Sequence, residues 1–342
     1  MPTADAHKRF TAGGDIEAEA LLRRVLAEIG DALAGTGLCV VLGGSYGRGD
    51  GGVRSDRENG ILYNDLDFFV FSRQKVAGAE VILNGIAEKY EHELKVDVDF
   101  SAIMSVQDMK KNVPRLMMQE LKRGYHLVCG EDLPAVFLQE LPASALPFSE
   151  ACRLLLNRGM GLLLAGEQLS DGSEISDFTL RNIYKAILGA GDAMLIAGGS
   201  YRWQLAERLQ TVEQSSMPDK WKTLYREAVD FKRTPHRTQK PDMKAFWSNA
   251  RDFFRWAVSC CAGEEGNLHN GIFRRCRQCG ELSFKNFVKY CIRTRSLPLA
   301  AWRRHTMPAV AVMVPEVYLA LQNMPEKLDR QSKLYRNWQI FN

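Results

Sequence analysis

Four aspartates in two apolar runs are the residues of this chain best suited to chemistry. Asp65 and Asp67 stand two apart at the head of Leu66-Asp67-Phe68-Phe69-Val70-Phe71, and Asp97 and Asp99 repeat the spacing in Lys95-Val96-Asp97-Val98-Asp99-Phe100. Side chains on a strand alternate faces, so Asp65 and Asp67 project the same way with Cα atoms about 6.6 Å apart. Carboxylates so placed can flank two hard cations about 4 Å apart, the arrangement that serves in-line displacement at phosphorus. Mg²⁺ suits such a site because it favours one or two carboxylates together with phosphate oxygens and water. Aspartate is depleted in strands, and a charge in so apolar a run needs a partner; a metal pair supplies one.

A glycine-rich turn precedes the acids. Leu38-Cys39-Val40-Val41-Leu42 reads as a strand, and Gly43-Gly44-Ser45-Tyr46-Gly47-Arg48-Gly49 follows it. Glycines let a backbone approach a phosphate closely, and the N–H groups of such a turn form an anion nest. A short helix starting near Ser45 would add its first amides and dipole. The Ser45 hydroxyl can donate to a phosphate oxygen, and Arg48 can add charge. Gly43, Gly44, Ser45 and Arg48 are therefore the candidate phosphate residues. Each motif alone has an ordinary reading, a tight turn or a solvated strand end. Their order, with each tied to a β-run and an acidic strand downstream, is what points to a site.

These residues resemble the nucleotidyltransferase superfamily typified by DNA polymerase β, with its glycine turn, Asp-x-Asp strand and third carboxylate on a neighbouring strand. The glycine wording is most similar to uridylyltransferases that modify nitrogen-signalling proteins, with Ser45 inserted. Leu116 to Gly130 is similar to the helix, basic turn and closing strand of small bacterial members. The resemblance covers about the first 135 residues, and the Lys185–Ile196 helix resembles uncharacterised bacterial two-domain members. It implies metal ligation and catalysis by Asp65, Asp67 and a third acid. Val98-Asp99-Phe100-Ser101 matches the related strand exit better, which selects Asp99 and leaves Asp97 as the alternative. It further implies that Lys185 reaches the triphosphate across an interdomain cleft. The competing reading of Arg181, Lys185 and Asp192 is a solvated helix stripe. Two departures stand out. The excess between turn and acids, Asp50 to Tyr63, is rich in Gly, Asp and Arg and reads as a grafted loop over nucleotide or acceptor, or one without a role. No His-Asp motif of a uridylyltransferase regulatory domain is present.

The elements that must position these residues follow from periodicity. Ile16 to Ile29 reads as an amphipathic helix, Gly78–Tyr90 and Ser105–Lys122 as helices, and Tyr125–Cys129 as a strand. Pro134, Pro142 and Pro147 mark a connector. From Ser149 the period is helical, with Ser176 or Asp177 and Ser283 as caps. The aromatics Trp221, Trp247, Phe253 and Phe254 lie on apolar stripes and read as core. The expected architecture is α+β: a nucleotidyltransferase-type mixed sheet with flanking helices over 1–135, a connector over 136–148, and an all-α helical bundle over 149–342 that closes the nucleotide cleft.

At 342 residues, 46% apolar and net charge +4, the chain has room for two domains and no bulk charge that demands a polyanion. Arg274, Arg275 and Arg277, Arg293 and Arg295, and Arg303 and Arg304 cluster locally, so nucleic acid is an open but unfavoured partner. The N-terminus lacks a secretory signal core, and the longest apolar run, Pro308 to Leu321, is interrupted by Pro315 and Glu316. No membrane partner and a cytoplasmic location are expected. The eight cysteines read as reduced thiols; Cys276 and Cys279 have metal-ligand spacing without a second clean pair.

The function expected is that of a metal-dependent nucleotidyltransferase using two Mg²⁺ (or Mn²⁺) ions. It would move a nucleoside monophosphate from a nucleoside triphosphate, ATP being the commonest donor, to an acceptor hydroxyl on a small molecule, protein or nucleotide. A cyclic-oligonucleotide synthase and a non-catalytic nucleotide sensor are the alternatives.

Overall fold

Apolar strands and capped amphipathic helices account for an α+β protein with one small mixed sheet and many helices. The computed structural model describes residues 9–55, 60–112, 114–170, 176–236, 238–263, 267–323 and 329–341. These divide into two compact units, Met1–Pro142 with Asp230–His236, and Ala143–Val229 with Arg237–Asn342.

In the first unit the order is α1 (Ile16–Ala32), β1 (Cys39–Leu42), α2 (Gly44–Gly47), β2 (Leu66–Ser72), α3 (Ala79–Leu94), β3 (Val98–Phe100), β4 (Met104–Ser105), α4 (Val106–Asn112), α5 (Leu116–Arg123), β5 (His126–Cys129) and α6 (Leu133–Phe137). The strand order is β3-β2-β1-β5, with β4 also on β2; β1 is antiparallel to β2 and β5, and β2 is parallel to β3 and β4. Alternation along β2 sorts its side chains. Leu66, Phe68 and Val70 join the core with Val40, Leu42 and residues of α1 and α3, while Phe69 and Phe71 join Cys39, Val41, Met109, Met118 and Leu121 on the other face.

α1 forms because Asp15 caps it, accepting from Ala18 N at 3.0 Å, and because Ala18, Leu22, Val25, Leu26 and Ile29 recur on one buried face. The single helix expected over Ser105–Lys122 is instead two, α4 and α5, preceded by the short β4. Pro114 explains the break: it lacks an N–H and disfavours helical backbone at the residue before it.

The loop expected over residues 50–63 is tied into the fold at both ends; residues 56–59 lie outside the described residues. Val53 pairs antiparallel with Leu62, Arg54 N–H donates to Ile61 O at 2.8 Å, and Leu62 and Tyr63 are buried. The fully buried Tyr46 is its hub. Its hydroxyl donates to Gly52 O (2.8 Å) and accepts from Tyr63 N (3.0 Å) and Asn64 N (3.3 Å), while Asn64 Oδ1 accepts from Gly52 N (2.7 Å). One side chain thus joins the start and end of the insertion, one residue before Asp65.

The second unit is helical: α7 (Phe148–Ser170), α8 (Asp177–Ala197), α9 (Leu205–Gln214), α10 (Asp219–Arg233, whose last residues count with the first unit), α11 (Met243–Ala262), α12 (Leu268–Gln278), α13 (Phe284–Thr294), α14 (Ala309–Gln322) and α15 (Lys333–Phe341). Ser176 caps α8 by accepting from Thr179 N, and Ser283 caps α13 by accepting from Lys285 N. Trp221, Trp247, Phe253 and Phe254 are buried, with Trp247 Nε1 donating to Leu162 O at 2.8 Å. Pro315 lies buried within α14, and among the described residues no helix is long and apolar enough to cross a membrane.

Tyr46→Phe removes the phenol oxygen; Tyr63 N–H and Gly52 O keep each other at 3.3 Å, and Asn64 N–H loses its buried partner. It is expected to lower stability by about 1–3 kcal/mol. In thermal denaturation followed by circular dichroism, an unchanged melting curve would contradict the hub assignment.

Candidate functional site

The parallel register of β2 and β3 decides where the acids meet. Asp67 lies directly opposite Asp99, flanked by Leu66 opposite Val98 and Phe68 opposite Phe100. Parallel neighbours in register project to the same face about 4.8 Å apart, so these two residues stand side by side. Leu66 N–H donates to Asp97 O at 2.9 Å, which continues the ladder one step toward Asp65 and Asp97. Asp65 and Asp67 are half-buried, and Asp97 and Asp99 are exposed. The acids share the face of β2 that carries Phe69 and Phe71 farther along, so they occupy the end of that face beyond its apolar cover.

The glycine turn packs on this pair. Gly43 N–H donates to Asp67 O at 2.8 Å. Gly44 has φ +60°, and a Cβ there would collide with Asp67 Oδ2; a Cβ on Gly43 would stand 2.6 Å from the Phe69 ring. Both positions therefore require glycine, one for its backbone and its contact with the carboxylate, the other for its contact with the sheet. Gly47 N–H closes the first helical bond onto Gly43 O at 2.7 Å, so the amides of Gly44, Ser45 and Tyr46 have no intrahelical acceptor. α2 is a single turn, too short to add the dipole of a full helix. Ser45 is half-buried beside Gly44 on this turn.

Arg48 faces another way. Its Nη1 pairs with Glu120 Oε2 at 3.2 Å in a largely buried contact that ties the turn to α5, and its Nε is buried without a hydrogen-bond partner. Lys185 belongs to the other unit, half-buried on α8. Its helix neighbour Asp192 is not on a solvated stripe: it accepts from the Tyr225 hydroxyl at 2.7 Å and pairs with the buried Arg208 at 3.2 Å.

Electrostatics single out Asp99. Its carboxyl is held above the ordinary carboxylate range, first by the protein packed on one side of it and then by the negative charges of Asp65, Asp97 and Glu91. Glu91, which also accepts from Val98 N at 3.2 Å, was not recognisable as part of this cluster from its place in an ordinary helix. Tyr46 and Asn64, which hold the chain before Asp65, likewise carried no sequence signal beyond proximity to the motifs.

The donor set is all carboxylate oxygen, the chemistry that suits Mg²⁺ or Mn²⁺ and not a thiophilic ion. Among the described residues no three His, Cys, Asp or Glu side chains are already gathered as a metal group. Bringing Asp65, Asp67 and Asp99 onto shared ions therefore calls for side-chain rotation about a backbone that already aligns Asp67 with Asp99. Cys276 is buried and Cys279 exposed, and burial raises both thiols. Compared with protein-family models, with curated proteins and with solved structures, the chain matches none.

A carboxyl whose folded-state pKa is raised favours the fold at pH below its unfolded value, and that contribution is lost as pH rises through the folded value. Asp99→Asn is therefore expected to raise the melting temperature of metal-free protein at neutral pH by about 1–2 °C, a modest shift because the group is solvent-screened. The gain should vanish as pH falls below the raised Asp99 value. Differential scanning fluorimetry across pH checks this, and a destabilised variant at neutral pH would contradict the mutual repulsion.

Proposed function

We propose that the first unit is a nucleotidyltransferase catalytic domain that moves a nucleoside monophosphate from a nucleoside triphosphate to an acceptor hydroxyl and releases pyrophosphate. The observation that carries this reading is the register pairing of Asp67 with Asp99 under a glycine turn that leaves room for the Asp67 carboxylate. Asp65, Asp67 and Asp99 would hold two Mg²⁺ or Mn²⁺ ions, which when bound neutralise triphosphate charge and lower the pKa of the acceptor hydroxyl.

The protein's own groups do the rest. The Ser45 hydroxyl and the amides of Gly44 and Ser45 hold the β- and γ-phosphates. Gly43 and Gly44 allow the backbone close approach, and Arg48 holds the turn against α5. The acceptor oxygen forms its bond to the α-phosphorus as the bond to pyrophosphate breaks. The acceptor proton passes to Asp99, the carboxylate of the neighbouring strand opposite Asp67, placed between the ions it would hold and the acceptor oxygen. ATP is the donor proposed first because it is the commonest.

Asp67→Asn keeps the size of the side chain but removes its charge beside Asp99. It is expected to reduce pyrophosphate release by at least about 10³-fold while the melting temperature stays within a few degrees of wild type. The assay incubates each labelled nucleoside triphosphate with Mg²⁺ or Mn²⁺, with and without cell extract. A labelled acceptor supports transfer, and a labelled oligonucleotide product would assign the chain to cyclic-oligonucleotide synthesis. Nucleotide-dependent thermal stabilisation without pyrophosphate release under any condition would leave a sensor. Full turnover by Asp67→Asn would falsify the site.

A further inference from the structure

From Leu282 to Pro315 the sequence contains no Asp or Glu, and its charged side chains are Lys285, Lys289, Arg293, Arg295, Arg303 and Arg304. All six are exposed, and none forms an ion pair with a described residue. Within the same stretch the fold leaves large apolar side chains bare. Phe284 (64%), Val288 (40%) and Ile292 (70%) recur at every fourth residue of α13, and Leu297, Leu299 and Trp302 follow in the return segment. At 100° per residue, Phe284, Val288 and Ile292 form one stripe of α13 and Lys285, Lys289 and Arg293 the stripe beside it. Phe287, in ring contact with Phe284, and Tyr290 continue the apolar arc on the flank away from these cations and are buried, so α13 is anchored to its own unit by one edge of that arc while the other edge faces out. The return segment is fixed to the start of α13: Ser283 N–H and Asn286 Nδ2 both donate to Thr306 O, at 2.9 Å each.

We propose that this face of the second unit docks on an anionic lipid bilayer. Bare aliphatic side chains flanked by lysine and arginine, with an aromatic at the margin, are the composition of an interfacial helix: the apolar stripe enters the headgroup boundary and the cations meet lipid phosphates. The long Lys and Arg stems allow the charges to stay at headgroup level while the stripe inserts. Two other occupants fit less well. A second copy docking the same face would set the six cations against six more. A nucleic acid would answer the charge but leave Val288, Ile292, Leu297 and Leu299 with nothing to bury them, since strand-tracking surfaces rely on aromatic stacking. The proposal also goes beyond the expectation that no membrane is involved, which rested on the lack of a spanning segment; lying on a bilayer needs no such length.

The test is co-sedimentation of the full chain with vesicles of phosphatidylcholine alone or mixed with phosphatidylserine, at low and high salt. The expected result is association with the mixed vesicles only, weakened by salt. Phe284→Ser with Ile292→Ser, and separately Lys285→Glu with Lys289→Glu, should each weaken it by roughly tenfold or more. All these side chains are exposed, so melting curves should match wild type. Absence of association by the intact chain with mixed vesicles would overturn the proposal. So would association that neither pair of substitutions changes. Concentration-dependent dimerisation lost with Phe284→Ser and Ile292→Ser, or oligonucleotide binding through the same residues without vesicle binding, would assign the face to another occupant and also overturn it.

Discussion

Two aspartates held side by side by strand register are the constraint around which the first unit is arranged. Asp67 and Asp99 cannot separate without breaking the β2–β3 ladder, because their own backbone positions are Cα partners in it. The negative charges that raise the Asp99 carboxyl are those of Asp65, Asp97 and Glu91, so repulsion between like charges is built into this end of the ladder. It is tolerated because the acids sit at the end of the strand, where Asp99 reaches water, while Leu66, Phe68 and Val70 on the opposite face bury into the core. Apolar burial on one face of the strand offsets electrostatic cost on the other. A cation shared by the acids would remove the repulsion, which gives the arrangement a physical reason to bind one.

The glycine turn packs on the acidic end of the strand. Gly43 and Gly44 bring the turn onto β2 and against the Asp67 carboxylate, where any larger residue would collide with that carboxylate or with the Phe69 ring. Tyr46, at the base of the same turn, takes both ends of the 50–63 insertion on its hydroxyl. The insertion thereby lengthens the chain between turn and acids without loosening Asp65. A free loop of that length would leave the residue before β2 mobile; a buried phenol with three backbone partners does not.

Much of this was legible because it is local. The alternation of Leu66, Phe68 and Val70 against Phe69 and Phe71 follows from strand period alone, and the two core clusters divide these side chains in the same way. Asp15 and Ser176 cap helices through bonds to residues three positions on, and the Ser176 cap was readable as such. The break at Pro114 was also local, and was obscured by apolar residues on both sides that continue the helical pattern. What could not be read is what joins distant segments. The β2–β3 register, the Arg48–Glu120 pair and the Tyr46 hub each link residues whose separation carries no period. Asp192 shows the same limit: on a helical wheel it sits with Arg181 and Lys185 as a charged stripe, yet Arg208 and Tyr225, from two other helices, turn it into a half-buried anchor.

α13 shows that limit from the opposite side. Periodicity measures the width of a helix's apolar arc but not how much of that arc its neighbours cover. In α11 the arc is covered, and Phe246, Trp247, Phe253 and Phe254 are buried. In α13 cover stops after Phe287 and Tyr290. A fold that merely lacked material there would be expected to soften the remaining edge with mixed charges, since solubility favours both signs interspersed over a bare apolar stripe. Here the stretch that carries the edge supplies cations and not a single acid. Single-sign charge beside uncovered apolar surface is costly for a protein that meets only water, and it is matched by a partner that offers negative charge and hydrocarbon together.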